Sequence, residues 1–313
     1  MRSALCGYLK MYEQFYGLKE NPFNVTPNPE YIYLGENHRE ALAQLLYGVR
    51  ERKGFIVITG EVGTGKTTLI HYLLDKMNGS RTRTAFLFNP KLTVDDFIQY
   101  ILKDLGVRGQ GRTKGEYLHN LHRYLLQAHQ RDERVVLIVD EAQGLRPDLL
   151  EEIRLLSNLE TSRSKLIQIV LLGQPELDRT LSQPEFRQLR QRINLRHRLS
   201  PLSEKETREY IAKRLKIAGA KEPVFTEKAI KEIYLKSGGI PRLINILCDN
   251  ALLNGYAQDQ KTVGEGPVKE AAKDLKLKKR SYGVFIMLVI GISITVGVLL
   301  FVYFQRGWAS AAP

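Results

Sequence analysis

Residues 54–68 read GFIVITGEVGTGKTT, and the order of residue types in this stretch decides the fold. Gly54 to Gly60 is a short apolar run, β-branched at its centre and ended by glycine, which is the pattern of a buried strand. Directly behind it, Gly60, Gly65, Lys66 and Thr67 complete the spacing G-x-x-x-x-G-K-[ST], and LIHYLLDKM at 69–77 continues with helical periodicity. Strand, glycine-rich loop and helix in that order form a phosphate cradle. Its expected members are Gly60, Glu61, Val62, Gly63, Thr64, Gly65, Lys66, Thr67 and Thr68. Glycines let backbone N–H groups curl around phosphate oxygens, and the helix N-terminus favours an anion. The Lys66 ammonium reaches the β- and γ-phosphates and the Thr67 hydroxyl ligates magnesium, so ATP with Mg2+ is the expected ligand pair.

Such a cradle works with an acid on a neighbouring strand. RVVLIVDEAQGL at 134–145 supplies it: Val135 to Val139 form a second buried strand, with Asp140 and Glu141 at its carboxyl end. Asp140 is expected to hold magnesium and Glu141 to orient and polarise the attacking water. A third apolar run, KLIQIVLLGQPEL at 165–177, ends in Gln174. That position either reaches the γ-phosphate or its water, since ligands sit at the carboxyl ends of parallel strands, or caps the loop. PEFRQLRQRINLRHRLSPL follows at 184–202, with helix spacing from Pro184 to Arg192 and a short strand from Ile193 to Leu199. Arg187, Arg190 and Arg192 are candidates for an arginine finger acting across a subunit boundary, for a solvated basic face, or for contact with DNA.

From Ser203 the pattern becomes helical. SEKE, with Ser203 and Glu206, is a capping box opening a helix to about Ala218. Thr226 starts another, and GGIPRLINILCDNALLNGYA at 238–257 a third, with Pro241 at its first position. Arg242 beside Gly238 and Gly239 either brings a guanidinium from a small helical lid to the γ-phosphate or is a surface arginine.

Composition bounds the remaining classes. The chain has 313 residues, enough for one medium and one smaller domain, and a formal charge of +13 from 47 Lys and Arg against 34 Asp and Glu. That charge suits nucleic acid or an anionic membrane surface. Cys6 and Cys248 lie far apart without metal-ligand spacing, which excludes a disulfide framework. MRSALCGYLK at 1–10 is too short in its apolar run for a signal peptide, and Met11 is an alternative start. Near the other end, Gly283 to Phe304 carries no charge; about 22 residues at 1.5 Å each give roughly 33 Å, enough to span a bilayer core. Lys276, Lys278, Lys279 and Arg280 precede this span and Arg306 stands nearly alone behind it, so the bulk of the chain is expected in the cytoplasm.

These residues, in this order, resemble the AAA+ ATPases, specifically the general secretion pathway protein A group, related to origin-recognition-type ATPases. The resemblance is carried by MYEQFYGLKENPF (11–23), the continuous match at 28–68, LIVDEAQGL (137–145), LLGQPEL (171–177), RQLRQRI (187–193) and GGIPRLINILCDNAL (238–252), and covers Met11 to Leu277. It implies a P-loop parallel α/β sheet flanked by helices, with a small α-helical lid. It makes Gly60 to Thr68 the Walker A loop, Asp140 and Glu141 Walker B, Gln174 sensor one and Arg242 sensor two. The arginine finger falls among Arg187, Arg190 and Arg192, and Asn21 to Phe23 with Tyr33 beside the adenine. It further implies a homo-oligomer that hydrolyses ATP to drive assembly or remodelling of a membrane partner in a secretion or polysaccharide export system. DNA binding of the transposition or replication-initiator kind is the alternative. A periplasmic peptidoglycan-binding domain, present in such secretion proteins, is not expected in the nine residues after Phe304.

The domain expectation is an N-terminal segment at 1–20, the nucleotide-binding α/β domain at 21–202 and a lid at 203–262. A basic connector at 263–282, a single C-terminal transmembrane helix at 283–304 in the bacterial inner membrane, and a tail at 305–313 complete it.

Overall fold

The computed structural model describes residues 11–277, apart from 27, 78–80, 89–90, 108–110 and 112. The expected membrane span lies outside the described residues; among those described, no helix is long and apolar enough to cross a membrane.

Five strands, β1 (Phe55–Gly60), β2 (Thr82–Leu87), β3 (Arg134–Val139), β4 (Ile167–Gly173) and β5 (Ile193–Leu199), form one sheet in the order β2-β3-β4-β1-β5. Every neighbouring pair is parallel. The central strands β1 and β4 are buried along their whole length, which is why their sequences are unbroken apolar runs rather than alternating ones. Alternation decides instead which face each residue serves. Phe55, Val57, Leu137 and Leu171 pack with α4 (Val94–Asp104), α5 (Lys114–Gln130) and α6 (Pro147–Leu156). Ile56, Ile58, Ile138 and Leu172 pack with α2 (Glu36–Arg50) and α3 (Lys66–Met77) on the other face. Register places Val139 beside Leu171 and Leu171 beside Val57, so the carboxyl ends of β1, β3 and β4 open on one side. The short helices α7 (Pro175–Leu181) and α8 (Arg187–Arg190) lead from β4 to β5.

The lid consists of α9 (Glu204–Ile217), α10 (Glu227–Ser237), α11 (Pro241–Ala257) and α12 (Glu265–Asp274) around a separate apolar core. Ser203 caps α9 in a reciprocal box with Glu206, Thr226 caps α10, and Pro241 occupies the first turn of α11. Two boundaries differ from the sequence expectation. Residues 263–277, expected as a connector with a last helix opening at Pro267, do carry that helix but pack as lid: Val263 N–H donates to the Val224 carbonyl at 2.8 Å, and Val268, Ala271 and Ala272 are buried. Their spacing of three and four is an apolar helix stripe hidden in a polar composition. Residues 11–20 also belong there, while 1–10 lie outside the described residues. Their helix α1 (Met11–Phe15) is followed by Leu18, buried in the lid core, and by Lys19, whose N–H donates to the Ala218 carbonyl at 2.8 Å.

Candidate functional site

The loop between β1 and α3 takes its shape from two glycines in the left-handed region, Gly63 at φ +80° and Gly65 at φ +99°. A Cβ on Gly63 would meet the Cβ of Arg242 at 2.7 Å, so the lid rests directly on the loop. Arg242 N–H donates to the Gly63 carbonyl at 3.3 Å. The buried Lys66 ammonium donates to the carbonyls of Gly60 at 2.7 Å and Glu61 at 3.0 Å. Burial pulls its pKa down, while the charges of Glu141, Asp140 and Glu61 pull it up.

Thr67 opens α3 facing the end of β3, and its hydroxyl donates to Asp140 Oδ2 at 2.8 Å. Asp140 is 5% exposed, and its other oxygen accepts the Glu141 N–H at 2.8 Å. A hydroxyl and one carboxylate, both oxygen donors at the floor of a phosphate cradle, fit magnesium, which takes few protein ligands and completes its shell with phosphates and water. No cluster of three His, Cys, Asp or Glu exists among the described residues, and such a site needs none.

Glu141 stands at φ 51°, ψ 36°, a left-handed conformation unusual for a residue with a side chain. Its Oε2 accepts from the amides of both Gln143 and Gln174, the latter at 3.2 Å. Gln143 Oε1 in turn accepts the Gln174 N–H at 3.0 Å. The carboxylate is thereby aimed by two glutamines from the ends of two strands, of which only Gln174 stands out in the sequence.

Residues 62–69, Glu141 and Arg242 line one cleft together with Asn24, Tyr31, Tyr33, Tyr210, Arg214 and Asn245. Of the residues expected beside a base, Tyr33 lies there. Asn21 and Phe23 do not: Asn21 donates to Asp249 at 2.9 Å, and Phe23 is buried in the lid core against Phe225. The strap after them forms the wall, and it is fastened to the lid by Arg214. That guanidinium donates to the carbonyls of Pro22 and Asn24 and to the Tyr210 hydroxyl, and lies 4.8 Å from the Tyr31 ring centre. Arg214 belongs to no motif in the sequence, although Thr207, Tyr210, Ile211, Arg214 and Leu215 make one buried helix stripe with a single charge in it.

Arg187 and Arg190 are exposed and Arg192 is half-buried, and none of them lines the cleft of its own chain. Arg190 donates to the Ser182 carbonyl at 3.1 Å.

Comparison with known proteins agrees with this architecture. A family model described as AAA domain matches residues 49–181. General secretion pathway protein A of Aeromonas hydrophila is 45% identical over 266 residues, 85% of this chain and 48% of that protein, so the chain spans about half the length of this relative. The fold is similar to that of Cdc6p from Pyrobaculum aerophilum, with a TM-score of 0.63 at 21% identity, covering 85% of this chain and 73% of that one. It is also similar to Drosophila ORC in a structure bound to DNA, with a TM-score of 0.64 at 18% identity over 86% of this chain and 66% of that one. The chain therefore belongs to the AAA+ ATPase family, in the group of general secretion pathway protein A.

Proposed function

We propose that this chain binds and hydrolyses ATP in the cleft between sheet and lid, and uses the cycle to assemble or remodel a membrane partner complex of a secretion or export system. The observation that carries the nucleotide reading is the Thr67–Asp140 bond beside a Glu141 carboxylate held by two amides. Lys66 takes the β- and γ-phosphates, Thr67 and Asp140 hold magnesium, and Glu141 accepts a proton from the attacking water. Magnesium, when bound, neutralises charge on the phosphates. Gln174 orients the water, Arg242 brings the lid to the γ-phosphate, and one of Arg187, Arg190 and Arg192 completes the site of a neighbouring copy. Phosphate release by Glu141→Gln, expected to fall about 100-fold or more while ATP binding persists, tests the assignment. Turnover at the parent rate ends it. Lys66→Ala should lose turnover as well.

The likeness to general secretion pathway protein A and the apolar stretch at 283–304 support a tether to the inner membrane with the ATPase domain in the cytoplasm. Co-purification from solubilised membranes reads out the partner. Nucleic acid is the second reading, favoured by exposed Arg187, Arg190, Arg196 and Arg198 at one end of the sheet. It requires ATP-dependent DNA binding that weakens steeply with salt.

A further inference from the structure

His38 lies in the first turn of α2, is 4% exposed, and has its Nε2 2.7 Å from the Thr64 carbonyl oxygen. A carbonyl only accepts, so Nε2 carries the proton and the ring donates. Burial pushes the imidazole's pKa down, against the opposing pull of the Thr64 carbonyl and Glu206, which favours the neutral tautomer. The ring presses on the phosphate loop and lines the same cleft: a Cβ on Gly65 would come within 3.3 Å of Nε2.

The peptide between Thr64 and Gly65 is trans, so its C=O and N–H point in opposite directions. Holding the carbonyl toward the ring turns the Gly65 N–H away from it, and Gly65 lines the cleft. Glycine tolerates either sign of φ, so nothing intrinsic to this peptide prevents it from rotating. A rotated peptide would present a carbonyl dipole to the phosphates in place of an N–H. We propose that His38 is a positioning residue for phosphate binding, which locks this peptide with its N–H toward the cleft. The helix carrying the ring is itself anchored, because Glu206 of the lid accepts the Glu36 N–H at 2.8 Å. The orientation of one phosphate-binding amide is thereby tied to the seating of the lid.

This rests on the nucleotide reading above. The test compares the full chain with His38→Met, which keeps bulk without a donor, and His38→Gln, whose amide nitrogen reaches about as far as Nε2. Dissociation constants of Mg-ATP and of adenosine are measured by calorimetric titration, with circular dichroism confirming the fold. His38→Met should bind Mg-ATP about 3- to 10-fold more weakly, His38→Gln should stay within about twofold of the parent, and adenosine binding should not change. The proposal is overturned if His38→Met binds Mg-ATP like the parent, if His38→Gln is as weak as His38→Met, or if adenosine binding falls in parallel. Should His38→Met not fold, His38→Asn, whose amide is shorter, replaces it against the same outcomes. A parent chain that binds no ATP overturns the nucleotide reading together with this one; failure confined to the variants overturns the histidine alone.

Discussion

Arg214 sits in a buried stripe of α9 with three oxygen acceptors around its guanidinium, two of them carbonyls of the strap. Removing the donor leaves those groups inside the fold without it, each at a cost of about 1–3 kcal/mol before water relieves it. Arg214→Met should therefore destabilise the chain by about 2 kcal/mol or more in urea denaturation and raise the KM for ATP, since the strap forms a cleft wall. An unchanged midpoint would mean that the contacts contribute little. Glu141 is the opposite case, because its left-handed backbone costs free energy at a position proposed to carry the hydrolysis. Glu141→Gly should raise stability by about 1 kcal/mol while turnover is lost, a pair of readouts from one thermal melt and one phosphate assay. Lys66, Thr67, Asp140 and Glu141 stand out in the sequence because the phosphate and metal chemistry proposed for them demands those residue types at short, fixed spacing. Arg214 and His38 do not, because their partners lie 192 and 26 positions away and only the folded chain brings them together.

The start of α9 and the start of α2 meet at Glu206, whose two oxygens serve both helices. A Cβ on Gly35 would meet Glu206 Oε1 at 2.5 Å, so the close approach depends on that glycine. Burial alone would raise the Glu206 pKa, but the N–H groups of Ser203 and Glu36 and the Ser203 hydroxyl outweigh it and hold the carboxyl below the usual carboxylate range. The resulting stability is fully present above the pKa of the unfolded chain and is lost as pH falls through the lower folded value. Glu206→Gln should lower stability by about 1 kcal/mol at pH 7, and its difference from the parent should shrink as pH falls below the usual carboxylate range, read from denaturation as a function of pH. Gly239 makes the other hinge contact, since at φ +75° its Cβ would lie 1.9 Å from the Leu202 carbonyl oxygen. Gly239→Ala should cost about 2–3 kcal/mol, well above the few tenths expected of an exposed loop glycine. The capping box announces itself in SEKE, but its second use, at Glu36, has no local signal.

At the scale of the molecule, the sheet and its order of strand, loop and helix follow from the P-loop stretch and the apolar runs around it. The extent of the lid does not. Pro267 signals its last helix, but the packing of that helix into the lid is not signalled, because Val263, Val268, Ala271 and Ala272 stand among lysines and glutamates and small alanines signal burial weakly. If the lid is complete at Leu277, a chain ending there should melt within about 2 °C of the parent and leave the membrane fraction. Persistence in membranes would remove the tether at 283–304.

The described chain enters and leaves through the lid: Leu18 near its beginning and Leu277 at its end belong to the same apolar core. Tension on whatever follows residue 277 is therefore delivered to the lid, not to the sheet. The lid meets the phosphate loop at Arg242 and Gly63, so a pull there loads the nucleotide cleft across its mouth. If the cleft holds ATP as proposed, mechanical force on the chain would act at the place where its fuel is held.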